Sequence, residues 1–123
     1  MARILVVDDD FGWRTLYRLE LAGAHEVLEA ADSETALDLV RLAHPDLILL
    51  DYHLPGMSGS ALVATLRSEG NPTPVILCTA DLAGVPGDET EPVSSKHTDL
   101  RSLRRTIEAI LASRRASDPE RAA

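Results

Sequence analysis

Residues 45–59 read Pro45-Asp46-Leu47-Ile48-Leu49-Leu50-Asp51-Tyr52-His53-Leu54-Pro55-Gly56-Met57-Ser58-Gly59. Four consecutive apolar residues, Leu47 to Leu50, end in a carboxylate, and a loop with Pro55, Gly56 and Gly59 follows. A short apolar run bounded by polar and turn residues suits a strand buried on both faces, as in a parallel sheet. Asp51 then stands at the carboxyl end of that strand, where open α/β sheets keep their sites.

Outward from this stretch the chain alternates. Arg3 to Val7 is a β-branched run closed by Asp8-Asp9-Asp10, a first strand with carboxylates at its end. From Phe11, the residues Trp13, Leu16, Tyr17, Leu19, Leu21 and Ala22 recur at helical spacing, and Gly23 marks the stop. Val27 to Ala30 reads as a second strand. Ser33 reads as the N-cap of a helix over Thr35 to Ala43, with Ala36, Leu37, Leu39 and Val40 inward. Beyond Asp51, Ser60 to Glu69 is a third helix, stopped by Gly70-Asn71-Pro72. Pro74 to Thr79 is a fourth strand. Thr98-Asp99 opens a last helix with Leu100, Leu103, Ile107, Ile110 and Leu111 on one face. Such alternation implies a parallel sheet covered by helices on both faces. Between Asp81 and Ser95 the pattern weakens: two glycines and two prolines disfavour a helix, and Val93 alone supports a strand. The expectation is one domain over residues 1–113 and a flexible tail over 114–123.

The composition narrows the function. With 123 residues, 45% of them hydrophobic, the chain can bury a core and is not a disordered segment. No apolar run approaches the roughly 20 residues needed to cross a bilayer, and the N-terminus does not read as a signal peptide. A soluble, cytoplasmic protein is expected. The net charge of −8 argues against direct nucleic-acid binding, which needs a basic face, and four aromatic residues make no stacking platform. Cys78, the single cysteine, lies in an apolar run and reads as a core residue.

The strand ends carry the chemistry. Asp8 and Asp9 end the first strand, Asp51 the third and Thr79 the fourth, and Lys96 precedes the last helix. Parallel strands bring these groups to one rim. Each has an ordinary structural role open to it: a helix cap, a turn, a strand end, a solvated charge. Together, three carboxylates repel one another unless a cation compensates them. A hard divalent ion takes such oxygen ligands, and a cation, an ammonium and a hydroxyl suit a transferring phosphoryl group. A carboxylate would be its nucleophile.

Three motifs carry a resemblance: Ile4-Leu5-Val6-Val7-Asp8-Asp9, the stretch Pro45 to Gly59, and Val75-Ile76-Leu77-Cys78-Thr79-Ala80. The chain resembles the receiver domain of two-component response regulators, from Arg3 to about Leu111. The resemblance implies a flavodoxin-like, doubly wound five-stranded parallel sheet of order 2-1-3-4-5, here with a degenerate or missing fourth helix and a weak fifth strand. It implies that Asp51 accepts a phosphoryl group from a histidine kinase or a phosphotransfer protein. Asp9, Asp51 and the main-chain carbonyl of His53 would hold Mg²⁺ (or Mn²⁺), with Asp8 orienting a metal-bound water. Thr79 and Lys96 would contact the phosphoryl oxygens. The module would be a monomer or weak dimer, act on a downstream protein, bind neither nucleic acid nor membrane, and turn over no external substrate.

Three departures fall together. The family's Lys-Pro is Lys96-His97 here; its switch aromatic, three residues before the lysine, is Val93; and the stretch from Thr79 to Lys96 is shorter by roughly one helical turn or more. The phosphoryl-accepting half looks intact and the relaying half rebuilt. Either the chain is a single-domain regulator or it is a receiver from a longer protein. Two further readings compete. One is a phosphorylation-independent, receiver-like adaptor. The other is a hydrolase with an aspartyl-phosphate intermediate, which usually carries a second Asp two places after the nucleophile, where this chain has His53. His53 could bind a water near the acyl phosphate, or be a plain loop histidine. Trp13, near the site, could report cation binding by fluorescence. The rebuilt half predicts that residues 81–95 order on phosphorylation or partner binding. Their amide hydrogen exchange should slow when beryllofluoride mimics the phosphoryl group; high protection in both states would contradict this.

Overall fold

The computed structural model describes residues 1–86 and 91–116. Its centre is β1 (Arg3–Val7) beside β3 (Leu47–Asp51), two strands with almost no polar face to present. β2 (Glu26–Ala30) pairs with β1, β4 (Val75–Thr79) with β3, and β5 (Val93–Ser95) with β4. All pairings are parallel and the order is β2-β1-β3-β4-β5, as expected from the alternation.

Because side chains alternate across a strand, one sequence feeds two cores. Leu5, Val7, Ile48, Leu50, Val75 and Leu77 face α2 (Ser33–Ala43) and α3 (Gly59–Ser68), which contribute Ala36, Val40, Leu62, Val63 and Leu66. Ile4, Val6, Leu47, Leu49, Ile76 and Cys78 face α1 (Phe11–Leu21) and α4 (Leu100–Ala116), which contribute Tyr17, Leu21, Leu103, Ile107 and Leu111. The strands therefore read as unbroken apolar runs. Removing either helix layer would expose half of every run, at about 25 cal/mol per Å² of apolar surface.

Two local expectations, a cap and a helical stripe, are corrected. The cap of α2 is Asp32, not Ser33: its carboxylate accepts from Thr35 N–H at 2.7 Å, three residues on, and Ser33 opens the helix. On α1, Leu16, Leu19 and Ala22 are exposed, because Trp13, Tyr17 and Leu21, spaced four apart, already form the stripe that meets the sheet. A single 3₁₀ turn, Leu82–Gly84, stands between β4 and β5 among the described residues, and residues 87–90 of the expected weak segment lie outside them. β5 has three residues, and its one apolar side chain, Val93, packs on the α2/α3 core. The boundary expected after residue 113 falls inside α4, which runs to Ala116. There Arg114 donates to the Asp46 carbonyl at 2.6 Å. Residues 117–123 of the expected tail lie outside the described residues.

The loop after β3 turns back sharply. Gly56 has φ of 78°, the left-handed region that glycine enters without a steric penalty. Gly59 opens α3 against the strand end. A Cβ there would lie 3.0 Å from the Asp51 carbonyl oxygen and 3.0 Å from Tyr52 Cα, both backbone atoms that cannot swing aside. Gly59→Ala should therefore lower unfolding free energy by about 1–3 kcal/mol, read by urea denaturation. Gly23→Ala, with nothing within 4 Å of the added carbon, is the matched control and should change it little.

Candidate functional site

Register sets the site. Val7 pairs with Leu50, so the next residues, Asp8 and Asp51, come level at the carboxyl ends of β1 and β3. Thr79 pairs with Ser95, so Lys96 leaves β5 at the same rim, and its N–H donates to the Thr79 carbonyl at 2.7 Å. The Lys96–His97 peptide is trans, and the side chain still reaches the carboxylates. Its ammonium donates to Asp8 Oδ2 at 2.7 Å and lies 3.4 Å from Asp51 Oδ2.

Each carboxylate is held by its local turn. Asp8 is buried, and its Oδ1 accepts from Asp10 N–H at 2.9 Å. Arg14, one turn into α1, donates to the Asp8 carbonyl at 2.7 Å, and its guanidinium also meets Glu29 at 3.3 Å. Asp10 caps α1, accepting from Gly12 N–H and Trp13 N–H. The turn carrying Asp8 and Asp9 is thus fixed to the start of the helix. Asp51 is buried at the strand end, and its Oδ1 accepts from His53 N–H at 3.1 Å.

The electrostatics follow from burial. Loss of water pushes the Asp51 carboxyl above its ordinary range, and the Asp8 charge adds to this. The His53 N–H and the Lys96 ammonium pull it back without cancelling it. For Lys96, burial works to lower the ammonium. The hydrogen bond and charge of Asp8 and the charge of Asp51 outweigh that, so its pKa is raised. Lys96 stays charged at neutral pH and is the resident counterion of the two buried acids.

Asp9, exposed, completes an acidic group. One carboxylate oxygen each from Asp8, Asp9 and Asp51 lies within 4.8 Å of the others. An all-oxygen set that is part buried and open on the Asp9 side suits a hard divalent cation rather than a soft one. His53 and Asp9 line an open groove with Tyr52, Met57 and Ser58, and the Tyr52 and His53 rings meet edge-on at 5.0 Å.

Other expected residues sit differently. Thr79 is buried, and its hydroxyl is engaged with Asp81: it accepts from Asp81 N–H at 3.1 Å and donates to the Asp81 carbonyl at 3.2 Å. Val93, half-buried, packs against the α2/α3 core. The sequence reading allowed a helix cap within Asp8 to Asp10, which proves to be Asp10, but missed Arg14 and Asp81 as supports. The cap was foreshadowed only by an acid just before a helical stripe. It also missed that the Lys96 ammonium lies 5.3 Å from the Trp13 ring centroid. Cys78 is buried beneath the rim, and burial pushes its thiol up to about 12.

Residues 4–85 match the family described as response regulator receiver domain. Over 80 residues the chain is 41% identical to a protein of Cyanophora paradoxa described as "Probable transcriptional regulator ycf27". That match covers 63% of this chain and 33% of the relative. It is 39% identical over 79 residues to the response regulator MprA of Mycolicibacterium vanbaalenii, again covering 63% of the chain and 34% of the relative. The chain thus spans about a third of the length of these curated relatives. Among solved structures, the chemotaxis response regulator CheY4 of Vibrio cholerae superposes with a TM-score of 0.78 at 28% identity, over 89% of this chain and 98% of that one.

The raised Asp51 carboxyl gives a pH signature. The folded chain holds the Asp51 proton more tightly than the unfolded chain does. Stability therefore falls as pH rises from the ordinary carboxylate value through the elevated one. In chelator, Asp51→Asn should exceed the wild type in thermal midpoint by a margin that widens as pH rises above the ordinary carboxylate value and levels off once the buried acid has ionised. A margin that narrows with pH would contradict the burial argument.

Proposed function

Since the chain belongs to the response regulator receiver domain family of two-component systems, we propose that Asp51 is its phosphoryl acceptor and that phosphorylation there alters partner binding. One observation carries this reading: Lys96 joins Asp8 and Asp51 at a rim where Asp9 adds a third carboxylate. Buried ion pairs stabilise a fold weakly at best, so keeping three charges in such a place favours chemistry over architecture.

The donor is a phosphohistidine of a histidine kinase or of a phosphotransfer protein. An Asp51 carboxylate oxygen attacks phosphorus and forms the acyl phosphate. The phosphorus–nitrogen bond breaks, and its electron pair returns to the donor imidazole. That ring, protonated on its other nitrogen, leaves neutral. Burial keeps the Asp51 carboxylate poorly solvated and hence more basic, which favours attack. Lys96 meets the charge delivered on the phosphoryl oxygens, moving from two carboxylates toward the new anion. Mg²⁺ (or Mn²⁺), held by Asp8, Asp9, Asp51 and the main-chain carbonyl of His53, would supply further neutralisation of those oxygens. Hydrolysis restores the resting state when a water oxygen attacks phosphorus and the acyl oxygen keeps the electron pair.

Phe11, Leu16 and Leu19 are exposed on α1, which begins beside the acidic turn, and offer the donor an apolar landing face. The protein acts in the cytoplasm on a downstream protein. A second reading, a phosphorylation-independent adaptor, is favoured by one feature: the Thr79 hydroxyl is committed to Asp81.

Incubation with acetyl phosphate and Mg²⁺, followed by intact-mass measurement, separates the two. The wild type should gain one phosphate, Asp51→Asn none, and chelator should abolish the gain. A wild type whose mass never changes, with metal and donor in excess, would leave the adaptor reading.

A further inference from the structure

Lys96 hangs from a loop that follows a three-residue strand, and its flexible four-carbon stem has many rotamers to choose from. Three groups fix its ammonium: Asp8 at 2.7 Å, Asp51 at 3.4 Å and the Trp13 ring, with its centroid at 5.3 Å. The first two are charges that the chemistry alters. Asp51 ceases to be a free carboxylate once it is phosphorylated, and Asp8 belongs to the set that suits a cation. The indole face carries no formal charge and does not change. A cation over an indole within about 6 Å is attracted to the ring, more strongly when water is excluded. Here the lysine side chain is 7% exposed.

The ring is itself anchored. Trp13 sits in the first turn of α1, its N–H held by the Asp10 cap at 3.2 Å. The same Asp10 donates its own N–H to Asp8, so the floor of the acidic turn and the indole move together. Trp13 stacks on Tyr17 at 5.8 Å with the planes 29° apart. Tyr17 is buried, and its phenol meets Cys78, which pairs in register with Asp51. Indole, phenol and thiol form a packed support from the lysine down to the strand that carries Asp51.

We propose that Trp13 is a positioning residue for Lys96: its ring face holds the ammonium at the rim between Asp8 and Asp51, so that the charge is in place when the phosphoryl group arrives. This rests on the phosphoryl-acceptor reading and adds the element that aims its lysine. Trp13 is the only tryptophan in the chain, so its emission reports the lysine directly.

The test is a double-mutant cycle on acetyl phosphate acceptance, read by intact mass with Mg²⁺ in excess. Trp13→Leu should slow acceptance about five- to tenfold and Trp13→Phe, which keeps a weaker π face, less than that. In a Lys96→Met background, Trp13→Leu should cost nothing further, because its effect passes through the ammonium. A purely packing role would slow both backgrounds alike and overturn the proposal, as would a Trp13→Leu protein that accepts phosphate at the wild-type rate. If Trp13→Leu does not fold, the Trp13→Phe arm of the cycle decides alone by the same criteria. In parallel, beryllofluoride added to Mg²⁺-loaded protein should shift tryptophan emission, read against Mg²⁺ alone, in the wild type and leave it unshifted in Lys96→Met. An equal shift in both would also overturn it. A wild type that gains no phosphate at all marks failure of the acceptor reading and takes this inference with it. Normal acceptance without the coupling refutes the role of Trp13 alone.

Discussion

Two carboxylates and an ammonium share one buried corner, and the rest of the molecule is arranged to keep them there. An isolated charge in such a place costs several kcal/mol, whereas a paired and hydrogen-bonded one is tolerable. Asp8 takes the Lys96 ammonium and the Asp10 N–H, and Asp51 takes the His53 N–H with the same ammonium at longer range. Among the described buried side chains, no polar atom is left without a partner. The compensation is adequate but unequal. Asp8 holds the lysine more closely, and Asp51 remains the acid that burial has made harder to ionise.

That inequality depends on backbone register. Val7 opposite Leu50 and Thr79 opposite Ser95 bring side chains from far apart in sequence to within a few ångströms. A slip of one residue in either pairing would send Asp8 or Lys96 to the opposite face of the sheet. Register is held by the two apolar layers, which admit no polar residue in Leu47–Leu50 or Val75–Cys78 without loss of packing on one side. The hydrophobic effect thus does chemical work at a distance, fixing where charges meet at the rim.

Much of this was legible in the chain itself. The apolar runs closed by acids gave the strands, their alternation with amphipathic stretches gave the parallel sheet, and the place of Asp8, Asp51, Thr79 and Lys96 at strand ends gave a common rim. What the sequence withheld falls into two kinds. Cap geometry turns on φ and ψ, so Asp32 and Ser33, adjacent and both good caps, could not be told apart by type. Long-range side-chain contacts have no local signature. Nothing near Trp13 announces Lys96, and nothing near Thr79 beyond a following acid announces that its hydroxyl turns to the backbone of Asp81. The helical spacing of Leu16 and Leu19 was real, but the stripe facing the sheet was already filled, so they were left outside.

Cys78 has a consequence of another kind. The single thiol is enclosed beneath the rim, and burial holds it far from the thiolate form that oxidants and disulfides require. Peroxide climbs the sulfur oxidation ladder only from an accessible thiolate. Peroxide therefore finds no handle at this sulfur, and Cys78 serves the sheet as an apolar side chain rather than as a redox sensor.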